Sequence, residues 1–98
     1  MDPFPINYKL TFEPDLKKFT FYGLESISIN CKKSVNIITM NCAELKIKSC
    51  IVKSGKKIIK STPKINEKTE ELQIKLGEKI RGLCTVDLEF EGILNDRL

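Results

Sequence analysis

The chain contains no histidine and no tryptophan, only two arginines against fifteen lysines, and no long apolar run. Without histidine there is no Ser/His or Cys/His nucleophile pair, no H-E-x-x-H zinc helix and no imidazole base working near neutral pH. The five glycines are scattered, and none falls into a G-x-G-x-x-G or Walker-type loop able to cradle phosphate. Cys31, Cys42, Cys50 and Cys84 show no C-x-x-C spacing, which argues against a zinc ribbon or a redox pair. Apolar runs of a few residues are too short to span a bilayer, and MDPFPINYKL has neither the basic nor the apolar region of a secretory signal. A cytoplasmic protein with four reduced thiols is the expectation, with no membrane partner.

Helical periodicity is missing as well. No window longer than a turn or two keeps apolar residues at i, i+3, i+4 and i+7. What remains is alternation. In NYKLTFEP, Tyr8, Leu10 and Phe12 alternate with Lys9, Thr11 and Glu13 until Pro14, which has no N–H to give a ladder. In FTFYGLESISINC the inward set reads Phe19, Phe21, Ile27, Ile29 and Cys31, with Gly23 suggesting a bulge or bend. VNIITM is a short apolar strand. LKIKSCIV sets Leu45, Ile47 and Ile51 against Lys46 and Lys48, and Cys50 is ambiguous there, since strict alternation would put it on the lysine face. KSGKKIIK predicts a hairpin turning at Ser54 and Gly55, and Pro63 confines its segment to an edge or an irregular crossing. NEKTEE predicts a polar turn, ELQIKLG a strand, GEKIRG a loop, and Cys84, Val86, Leu88 and Phe90 one face of a last strand.

Such a pattern predicts an all-β fold, an antiparallel β-sandwich of about seven or eight strands with essentially no helix. Ninety-eight residues without a Gly/Ser/Pro-rich linker predict a single domain over residues 1–98. The net charge of +4 is spread along the chain. Dispersed lysine reads as a solvated sheet face and not as a phosphate-binding patch, so no nucleic-acid partner is expected.

Two constellations invite a functional reading. Asp87, Glu89 and Glu91 share one side of a strand at about 7 Å spacing. One straight strand cannot wrap a cation, so these carboxylates are expected to face lysines such as Lys46 and Lys48 across neighbouring strands. Phe19, Phe21 and Tyr22 beside Lys17 and Lys18 could form a stacking platform on an oligonucleotide-binding barrel, but only Tyr22 has outward parity. A free-standing module that recruits partners through a strand edge is the other alternative.

The order of segments resembles a known family. PINYKLTFEPDLKKFTFYGLESISI is similar to the opening of zinc-dependent aminopeptidases of the alanyl and puromycin-sensitive type, with their P-x-x-Y-x-L-x-[LF]-x-P-[DN]-L, F-x-G and alternating strand. IITMNCAELKI resembles the following strand, turn and L-x-I strand, and ELQIKLGEKIRGLCTVDLEFEGILND resembles L-x-I-x-L, Gly, then L-x-[IF]-x-F-x-G-x-L-N-D. The resemblance implies a part of the family's N-terminal β domain, truncated relative to the whole. Its partner would be the catalytic domain of the same polypeptide, and the parent would act on peptide substrates. It further implies that zinc and the G-x-M-E-N and H-E-x-x-H motifs belong to the parent's catalytic domain, with no catalytic, cofactor-binding or metal-binding residue among residues 1–98. Sheet edges left open by truncation predict that the isolated chain dimerises or swaps a strand.

Overall fold

The structure is a computed structural model, and it describes residues 4–42 and 45–93. Six antiparallel strands run as β1 (Phe4–Asp15), β2 (Thr20–Asn41), β3 (Leu45–Ser54), β4 (Lys57–Ile59), β5 (Ser61–Asn66) and β6 (Glu71–Ile93). There is no helix among the described residues. Strand order is β1-β2-β6-β3-β4, with β5 also paired to β6. Residues 43–44 of the turn expected in IITMNCAELKI, the segment 94–98 and the inward placement of Tyr8 lie outside what is described.

The strand count of seven or eight gives way to six because two strands are very long. β2 absorbs both FTFYGLESISINC and VNIITM; β6 absorbs ELQIKLG, the GEKIRG segment expected as a loop, and the final strand. A straight strand of that length would measure about 75 Å, whereas the molecule extends 43 × 28 × 21 Å. β6 therefore bends, and the sheet curls into a half-barrel. One sheet folding over itself replaces two facing sheets.

The bend is built from unequal lengths of chain. Cys31 pairs with Gly82 and Val35 with Ile80, leaving three residues of β2 opposite one of β6; the next pair, Ile37 with Lys75, leaves four residues of β6 opposite one of β2. Gly82 takes a positive φ of 87° there, a conformation open to glycine at little cost. Beyond the bend, the first half of β6 exchanges β3 for β5 as its neighbour.

The inner face carries one continuous core: Ile27, Ile29, Cys31, Ile38, Cys42, Val52, Ile59, Leu72, Ile74, Leu76, Ile80, Cys84, Val86 and Leu88. Alternation of Ile27, Ile29 and Cys31 and of Cys84, Val86, Leu88 and Phe90 is as the sequence predicts. Phe19 is not inward. It is 64% exposed, with φ 54°, in the turn between β1 and β2. Ile51 leaves the inner face expected of it, and the ambiguity at Cys50 is resolved, because a register shift between Ile47 and Ser49 reverses parity downstream. Cys50 then faces inward, with Ser61 Oγ donating to its carbonyl at 3.3 Å, while Ile51 is exposed.

Gly23 marks neither a bulge nor a bend. It stays in register with Phe12 on β1 and Phe90 on β6. A Cβ there would lie 2.5 Å from Phe90 Cε2, so glycine leaves the space in which that ring sits. The turns are chemically alike. Asp15 Oδ1 accepts from the N–H groups of Lys17 and Lys18, and Asn66 Oδ1 accepts from those of Lys68 and Thr69. Each turn closes on a left-handed residue, Phe19 or Glu70. The β3–β4 hairpin turns through Gly55, at φ 63°, and Lys56; Gly55 lies in the turn as predicted, while Ser54 pairs with Lys57.

Candidate functional site: an open acidic groove at the mouth of the sheet

Registers Asp15↔Thr20, Thr20↔Ile93 and Leu45↔Gly92 bring the end of β1, the start of β2, the start of β3 and the end of β6 to one end of the half-barrel. The turn after β5 closes on the same end, where Cys42 N–H donates to Glu70 O at 2.7 Å. Between them lies an open groove of about 1420 Å³. Its apolar lining includes Phe21, Leu45, Ile47 and Ile65. Phe21 stands in a row of rings, with its centroid 5.1 Å from Phe12 and 6.4 Å from Phe90, the latter edge to face.

The groove is acidic although the chain is basic. Glu13, Asp15, Glu67, Glu70 and Glu91 lie around its mouth, against Lys18 and Lys46, with Glu13 and Glu91 on one rung whose side chains turn to the outer face. These carboxylates come from β1, the turn after β5 and β6, so nothing in any one stretch of sequence announces the cluster. Cys42 lies at the inner end. Burial pushes its thiol pKa up, and the carboxylate of Glu25 adds to the effect.

On the outer face, the expected carboxylate row is only partly matched by lysine. Lys48 Nζ lies 3.4 Å from Glu91 Oε1, and Lys46 stands opposite Glu91 in the ladder. Glu89 instead accepts from the hydroxyl of Tyr22, and Asp87 accepts from Ser26 Oγ at 2.7 Å. The physical reason is the neighbour: Tyr22 and Ser26 on β2 occupy one side of β6, and β3 with its lysines the other. The Glu89 carboxylate raises the phenol pKa of Tyr22, and this outward tyrosine is thus engaged with its own sheet.

Among the described residues, no group of three His, Cys, Asp or Glu side chains is arranged to hold a metal ion. These residues do not fit a zinc site. The thiols are similarly unsuited to nucleophilic work, since a thiol must ionise to attack. Burial, the neighbouring Cys31 and a hydrogen bond to it push the Cys84 pKa to about 12. Burial also raises Cys31 and Cys50.

Comparison with known proteins gives the family. Aminopeptidase 2 of Candida albicans is 27% identical over 94 residues, which cover 96% of this chain and 10% of that protein. Aminopeptidase M1 of Arabidopsis thaliana is 29% identical over 100 residues, covering 96% and 11%. Aminopeptidase 2, mitochondrial, of Saccharomyces cerevisiae is 28% identical over 100 residues, covering 96% and 10%. The chain spans about a tenth of the length of these curated relatives. Residues 4–98 match the Peptidase M1 N-terminal domain, and the chain belongs to that family.

Proposed function

We propose that this chain is a non-catalytic β scaffold of a zinc aminopeptidase, packing against the catalytic domain and helping to wall the cleft that admits peptide N-termini. The observation that carries the reading is the family match from residue 4 to residue 98. The groove supports it, since a curled sheet with an open, partly apolar mouth has a surface to be covered. Zinc would activate the water that attacks the peptide bond, and its ligands would come from the catalytic domain. The contribution of the present residues would be shape and rigidity, with the row Phe12, Phe21 and Phe90 stiffening the mouth and the carboxylates of the rim setting its charge.

The location we propose is cytoplasmic, in keeping with four unpaired thiols. A nucleic-acid platform is disfavoured by the geometry of its candidate rings. Phe21 faces the groove, Tyr22 is bonded to Glu89, and the acidic residues around the mouth outnumber its lysines, which disfavours a phosphate backbone. Sequencing the transcript past codon 98 tests the scaffold reading. An open frame that reaches H-E-x-x-H supports it, and a stop codon directly after Leu98 contradicts it.

A further inference from the structure

Among the described residues, β1 is an edge strand whose contacts with other strands are all with β2. Residues 9–13 are exposed throughout, including the inward-parity pair Leu10 and Phe12 at 49% and 50%. Lys9 and Glu13, on the outer face, form no ion pair among the described residues. An edge of this kind normally carries a device against pairing. Here the device is proline at the ends, Pro5 and Pro14, with a clear window between them.

The prolines also fix which backbone groups are free. Pro14 stands opposite Phe21 and Pro5 opposite Ile29. A one-residue shift between Pro5 and Asn7 keeps both prolines opposite odd-numbered residues of β2. Proline has no N–H to give β2, so this set of β2 residues bonds to β6, where Phe21 faces Gly92 and Ile29 faces Cys84. Alternation along an antiparallel ladder then turns the N–H and C=O groups of Leu10 and Phe12 toward the open edge.

The window is close to palindromic about Thr11. A two-fold axis there sets Lys9 of one copy opposite Glu13 of the other, and Leu10 opposite Phe12, each twice. We propose that β1 is a self-association edge: two copies of this chain pair antiparallel through residues 9–13, joining two curled sheets into one. Leu10 and Phe12 form the hydrogen-bonded rungs, and their side chains cover each other on the inner face. Lys9 and Glu13 close the outer face as two cross-strand ion pairs. Neighbouring registers are poorer. Centring on Leu10 puts Lys9 opposite Thr11, and centring on Phe12 brings Pro14, which lacks a donor, into the rung beside the axis opposite Leu10, whereas centring on Thr11 leaves it one rung further out, opposite Tyr8 and outside the window. The pairing is a property of these residues alone and does not depend on the aminopeptidase reading.

Sedimentation equilibrium of the chain and its charge variants tests this register. The unaltered chain is expected to show a concentration-dependent dimer. Lys9→Glu or Glu13→Lys places two like-charged pairs in the interface and is expected to weaken it roughly tenfold. Both positions are exposed, so circular dichroism should stay unchanged. Mixing the two variants restores complementary charges in a heterodimer, as does combining both substitutions in one chain, and each is expected to recover the original affinity. A strict monomer at high concentration would overturn the proposal. So would a dimer indifferent to either single reversal, or one that mixing fails to restore.

Discussion

Replacing Gly23 with alanine sets two effects of opposite sign against each other. Gly23 does not have a positive φ, unlike Gly55 and Gly82, so its backbone suits any residue. If conformation alone mattered, alanine would stabilise the chain by about 0.4–1 kcal/mol through lost freedom in the unfolded state. Sterics predict the reverse. The new Cβ would stand 2.5 Å from Phe90 Cε2 and 3.1 Å from Cε1, whereas carbon atoms rest at about 3.5–4.0 Å. The ring would have to retreat by about 1 Å. Phe90 is 6% exposed and packs edge to face on Phe21, so it has no solvent to retreat into. Overpacking of this kind costs about 1–3 kcal/mol, leaving a net loss of about 1–2 kcal/mol. Urea or thermal unfolding followed by circular dichroism reads the difference, with about 4–8 °C in Tm for each kcal/mol in a chain of this size. In a Phe90→Leu background the ring atoms that the methyl would strike are gone, and Gly23→Ala should become neutral or stabilising. Equal or greater stability of the single variant, or the same loss in both backgrounds, would refute the reasoning.

Turn chemistry and the thiols give two further outcomes. Asp15→Ala removes the acceptor shared by the N–H groups of Lys17 and Lys18 and should lower unfolding free energy by about 0.5–1 kcal/mol; Asp15→Asn, which keeps the oxygen, should recover most of it in the same urea titration. Cys84 retains its proton in the folded chain up to a pKa of about 12, while an unfolded cysteine ionises near the ordinary value of about 8.5. Its contribution to stability is thus complete below pH 8.5 and declines as pH rises toward 12, by about 1.4 kcal/mol per pH unit between the two values. Cys84→Ala should flatten the alkaline limb of the stability profile. An unaltered limb would contradict the assignment. Native-state alkylation near pH 8 should spare Cys84 until the chain unfolds.

Face assignment was legible wherever one side of a strand is buried without interruption. Ile27, Ile29 and Cys31, and Cys84 through Phe90, follow the period because a slip by one residue would put the whole apolar set in solvent. Asn66 and Gly55 announced their turns by their own chemistry. Strand number was less legible, since Gly23 and the GEKIRG segment look like interruptions. In the fold, Gly23 makes room for a ring and GEKIRG carries the bend of a continuous β6. Parity in β3 was lost at Lys48, because a register shift leaves no signature in side-chain type. The family was readable from the spaced motifs. The acidic rim was not, because Glu13, Glu70 and Glu91 come to one end of the molecule only once the sheet has curled.

Amide hydrogen exchange bears most directly on the claim that the mouth of this sheet is a docking face. It compares residues 1–98 alone with the same residues inside a longer product made by fusing them to a catalytic domain of the family. The account predicts slower exchange in the longer product at residues 13–22, 45–47 and 91–93, the segments around the groove, with little change along the middle of β6. Identical exchange at the groove in both settings would contradict it.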